Sequence, residues 1–245
     1  MNALTDYTIH LADNALIMGQ RLSEWCGHGP ILEQDIAISN IALDYIGQAR
    51  NFYQYAANRI GEGATEDSLA YTRTEREYKN CLLVELPNGD WAQTVLKEFL
   101  FSSFQFYLYH QVRKSREEPI AAIAEKSVKE VTYHLKWSSE WVIRLGDGTE
   151  ESRNRMLNAL DELWPFAGEM FDPAGYEREF GIGLQPIRDS WINKVSAVFE
   201  EATLPAPAQE RWFQSGGKTG IHTEHLGYIL AEMQALQRTY PGATW

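Results

Sequence analysis

Residues 87–114 read PNGDWAQTVLKEFLFSSFQFYLYHQVRK, and residues 115–148 continue SREEPIAAIAEKSVKEVTYHLKWSSEWVIRLGDG. In the first stretch the turn Pro87-Asn88-Gly89 delivers Asp90, whose carboxylate can accept from the free amides of a helix's first turn. Gln93, three residues on, completes a capping box, and a long helix runs to about Lys114. In the second stretch Pro119 takes a first-turn position, where its missing N–H costs nothing. Ile120, Ala124, Ser127, Val131, Leu135, Ser138, Val142 and Leu145 then recur three and four apart, and Gly146-Asp147-Gly148 closes the helix. Two long helices separated by so few residues are antiparallel neighbours.

The residues upstream repeat the plan. Leu4, Tyr7, Leu11, Ala15, Met18, Leu22 and Trp25 form one apolar stripe, stopped by Gly27, Gly29 and Pro30. Ile38, Ala42, Tyr45, Ala49, Phe52 and Ala56 form a second, ending at Gly61 and Gly63. Residues 62–88 make a long connection with local helix at Leu69–Tyr71 and Cys81–Leu86. Two helical hairpins joined by one long crossover predict an all-α, ferritin-like four-helix bundle over about 4–146. Downstream, helices are expected at about 150–171 (kinked at Pro165), at 186–203, and at 222–240 with His225, Ile229, Met233 and Leu236 on one face. Residues 204–220 read as loop. These tail helices, spanning about 149–242, should pack on the bundle and leave 1–245 a single domain.

Composition narrows the function. The chain has 245 residues, 44% of them hydrophobic, and a net charge of −12. At this length roughly 70–75% of the unfolded surface can be buried without staples. Acidity weighs against nucleic acid and anionic membranes, which both select clustered Lys and Arg. No apolar run is long enough to span a bilayer. The first residues carry Asp6 and Asp13 and no early basic residue, unlike a secretory signal. Cys26 and Cys81 form neither a disulfide framework nor a CxxC pair, and read as reduced thiols of a cytoplasmic protein.

The aromatic content is high, with 10 Phe, 8 Trp and 12 Tyr. On the third helix Phe99, Leu100, Phe101, Phe104, Phe106, Tyr107, Leu108 and Tyr109 point all round the wheel, and a helix apolar on every side is buried on every side. Two covers are open and compatible: the tail helices, or another subunit meeting Phe101, Phe104, Tyr107 and Tyr109.

Carboxylate-bridged di-iron bundles take a carboxylate from each of two helices and a Glu-x-x-His pair from each of the other two. Asp13, Gln20 and Glu24 are offered by the first helix, Asp44 by the second, Glu98 by the third and Glu130 by the fourth. Asp13 to Asp44 and Glu98 to Glu130 each span about thirty residues, which suggests similar depth. The histidines are missing: Gly47 and Tyr133 stand at the i+3 positions, and His134 comes one residue late. Glu130 and His134 therefore read as a buried hydrogen-bonded pair left from a lost site, and a surviving weak iron site is the alternative. Gly216-Gly217-Lys218-Thr219 lacks the spacing of a phosphate loop and reads as a glycine turn. His222-Thr223-Glu224-His225 has no third zinc ligand, and reads as a helix start in contact with another chain. Arg73, Arg76 and Lys79, with Tyr71 and Tyr78, form either a solvated run balanced by Glu75 and Glu77 or a set of cations for an anionic ligand.

Several segments taken together resemble one family from end to end. They are Glu24-Trp25-Cys26-Gly27-His28, Leu43-Asp44, Gly47-Gln48-Ala49-Arg50-Asn51-Phe52 and Leu86-Pro87-Asn88-Gly89. Lys129-Glu130, Tyr133-His134-Leu135, Arg144-Leu145-Gly146 and Gly216-Gly217-Lys218 follow. His222-Thr223-Glu224-His225-Leu226-Gly227, Ala231-Glu232-Met233-Gln234 and Trp245 complete the set. The chain resembles the C-subunit family of the bacterial phenylacetyl-CoA oxygenases (ring 1,2-epoxidases), ferritin-like proteins of phenylacetate catabolism. The resemblance implies a structural subunit with no catalytic residue, metal or cofactor of its own. A homologous A subunit would hold the di-iron centre and the phenylacetyl-CoA. A reductase with flavin and an iron–sulfur cluster would supply electrons, and a small further subunit would bridge the assembly. Asp13, Asp44, Gly47, Glu98, Glu130, Tyr133 and His134 then mark remnant metal positions. Arg76, Glu77, Tyr78, Lys79 and Asn80 become residues that could touch CoA in the complex. Two other functions stay open: a self-sufficient di-iron oxygenase or ferroxidase, and an acyl-CoA-binding homo-oligomer.

Overall fold

In the computed structural model every regular element among the described residues, 2–205 and 213–243, is helical. In chain order these are α1 (Ala3–Ser23), α2 (Leu32–Ile60), α3 (Glu66–Tyr71), α4 (Leu82–Glu85), α5 (Trp91–Val112), α6 (Glu118–Gly146), α7 (Glu150–Ala167), α8 (Gly175–Phe180), α9 (Leu184–Glu201), α10 (Glu224–Met233) and α11 (Ala235–Thr239). The fold is all-α, with the two long hairpins and single crossover of a ferritin-like helical protein. Residues 206–212 of the expected loop, and Trp245, lie outside the described residues. The described residues fall into two compact units: 1–87 with 174–180 and 215–245, and 88–173 with 181–214.

The first unit is built on the α1/α2 hairpin. Gly19 lies against the Ala42 and Tyr45 turn of α2, while Asp13, earlier in α1, meets Tyr53, later in α2, so the helices run antiparallel. The sequence suggested one apolar stripe on α1, yet nearly the whole helix is buried, including Thr8, His10, Asp13 and Asn14. His10, Asp13 and Asn14 face the crossover, which folds over α1 instead of leaving it to solvent. On the same helix Tyr7 stacks on Phe180 of α8, 4.6 Å between ring centroids. The last expected helix is broken at Gln234. Its buried side chain leaves the helix and donates to the carbonyls of Ala70 (3.2 Å) and Arg73 (3.0 Å). After the break Leu236 is exposed rather than on the apolar face, and Leu226, Ile229 and Leu230 are the residues buried.

The second unit is the α5/α6 hairpin covered by α7 and α9. The predicted capping box holds: Gln93 N–H donates to Asp90 (3.0 Å), and Asp90 N–H donates to the Gln93 side chain (2.8 Å). Trp191 of α9 donates its indole N–H to the Leu100 carbonyl (2.9 Å). Phe104 meets Phe171 edge-on at 5.5 Å, and Phe99 meets Phe199 at 6.2 Å. Burial of each such ring stabilises the fold by about 1.5–3 kcal/mol. This corrects the partner surface expected on α5. Phe101, Phe104 and Tyr109 are buried within the chain, and of that set only Tyr107 is partly exposed.

Two glycines of the first hairpin give opposite predictions. Gly47 lies inside α2 with open space where a Cβ would be. Gly47→Ala should therefore raise stability by about 0.5–1 kcal/mol, the helix-interior cost of glycine. A Cβ on Gly19 would stand 3.0 Å from Ile46 Cδ1 and 3.2 Å from the Ala42 carbonyl oxygen. Gly19→Ala should lower the melting temperature, and thermal melts of the two variants beside the parent check both signs.

Candidate functional site

The densest polar arrangement of the first unit centres on Asp13. Arg73 holds its carboxylate with a fork of two N–H donors, one of them at 3.1 Å from Oδ2. The Tyr53 hydroxyl donates to Oδ1 (2.5 Å) and the Lys79 backbone N–H to Oδ2 (2.7 Å). Arg73 also donates to the carbonyls of Leu69 (2.5 Å) and Glu77 (2.9 Å), and its guanidinium lies over the Tyr78 ring at 4.2 Å. Burial alone would favour neutral arginine, but Asp13 together with Tyr53 and Tyr78 more than offsets it and holds Arg73 above its usual range. Burial pushes the Tyr53 phenol well up, and the Asp13 charge pushes it further. Both groups keep their protons near neutrality, so the cluster is a structural lock with no proton to exchange.

A second chain of contacts runs through His10. Its Nδ1 lies 2.6 Å from the Lys79 carbonyl and acts as the donor there. Asn14 approaches Nε2 at 3.2 Å, and Asn14 Oδ1 accepts from the Cys81 N–H (2.8 Å). Burial lowers the His10 pKa despite the Glu177 carboxylate 3.7 Å away, so the ring is neutral. Glu177 instead pairs with the buried ammonium of Lys218 (2.9 and 3.1 Å). That contact explains Gly216-Gly217-Lys218: the lysine is an internal counter-ion, and a Cβ on Gly217 would overlap the Asn80 carbonyl.

Glu85 anchors the third group. It accepts from Thr223 N–H (2.7 Å), Asn80 Nδ2 (2.8 Å) and His222 Nδ1 (2.7 Å), while His222 Nε2 reaches the Tyr78 carbonyl (3.0 Å). With an acceptor at each nitrogen the ring is held as imidazolium. Burial lowers its pKa, but the hydrogen bond and charge of Glu85 outweigh that and raise it above the ordinary 6.5. Thr223 also caps α10, so His222-Thr223-Glu224-His225 is a helix start, as its sequence suggested.

The expected ligand and metal residues are dispersed or committed. Arg73, read as one of a solvated or ligand-seeking run, is interior. In the 76–80 stretch Tyr78 and Asn80 are also interior, leaving Arg76 and Glu77 exposed and Lys79 half-buried, 3.5 Å from Asp6. The hairpin register separates Asp13 from Asp44. Asp13 is level with Tyr53, nine residues and about 13 Å farther along α2, whereas Asp44 is level with Gly19. In the second unit buried His134 has the Glu98 carboxylate 3.9 Å away, and Glu130 reaches Lys126 (3.8 Å). Four residues carry the helix about 40° past a full turn, enough to turn His134 inward and leave Glu130 at the boundary. Tyr133 is exposed and Gly47 is half-buried. Among the described residues no three His, Cys, Asp or Glu side chains converge as metal ligands, so the donor set does not fit a di-iron centre.

Sequence reasoning missed the partners of Glu85, Glu177 and Lys218. One signal was present: Glu85 interrupts the apolar run Cys81-Leu82-Leu83-Val84, and a carboxylate there needs buried donors.

A family profile described as phenylacetic acid catabolic protein matches residues 1–245. The chain is also similar to the C subunit of the 1,2-phenylacetyl-CoA epoxidase of Escherichia coli (strain K12). The two are 48% identical over 250 residues, covering 100% of each.

Asp13→Asn would leave Arg73 buried without its counter-charge and should cost about 3–5 kcal/mol in denaturant unfolding. The His222–Glu85 pair stabilises most below pH 6.5, where histidine is charged in folded and unfolded chains alike. That contribution is lost as pH rises through the raised folded pKa. The melting-temperature gap between parent and His222→Gln should therefore be widest in mild acid and narrow on the alkaline side.

Proposed function

The chain belongs to the phenylacetic acid catabolic protein family, and from that membership we propose that it is the non-catalytic structural subunit of a multicomponent di-iron phenylacetyl-CoA epoxidase. Its role is to keep the homologous iron-bearing subunit folded and soluble. The assembly is completed by the reductase, with flavin and an iron–sulfur cluster, and by a small further subunit. Phenylacetyl-CoA reaches this chain only through the complex. The observation that carries the reading is the commitment of Asp13 to Arg73, Tyr53 and the crossover backbone. A carboxylate so saturated has no lone pair left for a metal. Gly47 and Tyr133 at the two histidine positions support the same reading.

The partner surface moves from α5 to the start of α2. Leu32, Ile36 and Leu43 are 71%, 53% and 67% exposed, and their four- and seven-residue spacings set them on one helix face. Apolar residues displayed in this way suit the large, core-like interface of an obligate complex.

Co-expression with the iron-bearing subunit tests the role. The partner should stay soluble and active with this chain and aggregate without it, and this chain purified alone should contain only traces of iron. Leu32→Asp/Leu43→Asp should abolish co-purification while leaving the chain's own melting unchanged. Stoichiometric iron in the isolated chain, or indifference of the partner to its presence, would overturn the reading.

A further inference from the structure

The second unit contains a cavity of about 390 Å³ that the subunit role does not use. Its walls are aromatic: Trp164 of α7, Trp191 of α9, Phe171 from the segment that follows α7, and Phe213 from the segment that precedes α10. Trp164 and Trp191 stack at 5.5 Å with 26° between planes, and Phe171 meets Trp191 at 5.0 Å. The walls are fixed from behind. The Trp191 indole is tied to the Leu100 carbonyl (2.9 Å), and Gln214 N–H donates to the Pro165 carbonyl (2.7 Å), which pins the chain beside Phe213. Gly168 is required where it stands, because a Cβ there would overlap the Phe213 ring. A volume in the range of ligand sites, with rings held in place before any ligand arrives, is a built pocket rather than a packing gap.

Two charged residues line it, Asp172 and Arg188. Asp172 is already engaged by another group of the chain. Arg188 is exposed and makes no ion pair among the described residues. Aromatic walls select a flat ring by stacking, and a guanidinium at the rim selects a planar anion by paired N–H donors. We propose that this pocket binds a small aryl carboxylate, its ring among Trp164, Phe171 and Phe213 and its carboxylate on Arg188. The site is a ligand-responsive element of this chain, separate from any iron chemistry and independent of the subunit role.

Titration calorimetry of the full chain with phenylacetate is the test, and no partner is needed, so its failure leaves the subunit reading untouched. Saturable binding is expected. Arg188→Gln and Phe213→Ala should each weaken it about fivefold, the scale of one exposed charge pair or one aromatic contact. 2-Phenylethanol, which keeps the ring and lacks the charge, should bind the parent as weakly as phenylacetate binds Arg188→Gln. Both substituted residues are exposed, so melting temperatures should stay near the parent's. Absence of saturable phenylacetate binding in the millimolar range, equal affinity in Arg188→Gln, or tighter binding of phenethylamine than of phenylacetate would each overturn the proposal.

Discussion

The ion pair between Asp13 and Arg73 is the constraint around which the first unit is arranged. Its two charges lie thirteen and seventy-three residues into the chain, one in the middle of a buried helix and the other on the crossover. Stripping water from both is costly, and their attraction repays that cost only if the remaining lone pairs and protons are satisfied. Tyr53 and the Lys79 amide complete the carboxylate, and the Leu69 and Glu77 carbonyls complete the guanidinium. Apart from Tyr53 on α2, each of those partners is backbone of a segment that would otherwise be a long, entropically free connection. A crossover of this length stays ordered because it supplies the hydrogen bonds that a buried charge pair cannot do without.

The same logic extends along the crossover. His10 bonds the Lys79 carbonyl, Asn14 the Cys81 amide, and Glu85 collects His222, Thr223 and Asn80. Glu177 and Lys218 neutralise one another inside the same unit. Side chains of the kinds that bind metals or shuttle protons elsewhere are used here to fasten one segment of chain to another. The glycines of Gly216-Gly217-Lys218 serve this end too, since only a residue without a Cβ lets the lysine loop approach the Asn80 carbonyl.

Much of the architecture was legible because it rests on local rules. Asp90 with Gln93, Pro119 near a helix start and Gly146-Asp147-Gly148 at a helix end act within a few residues, so the start of α5 and both ends of α6 follow from sequence. The all-round aromatic pattern of α5 correctly signalled burial. Which body covered it was not encoded locally: α7 and α9 do so, because Trp191, Phe171 and Phe199 come from distant positions. The burial of α1 was hidden for the opposite reason. His10, Asp13 and Asn14 look like a solvent face until their partners on the crossover are known.

The sequence by itself determined the helices, the hairpin plan, the family and the absence of histidines from the two i+3 positions, since each depends on residue identity and short-range spacing. Only the tertiary structure decided which charges meet. Asp13 lies opposite Tyr53 and not Asp44, and His134 comes within 3.9 Å of Glu98 on the neighbouring helix. Antiparallel register and helix rotation fix those pairings, and both are set by the packing of whole helices, so that no count of residues between two carboxylates could supply them.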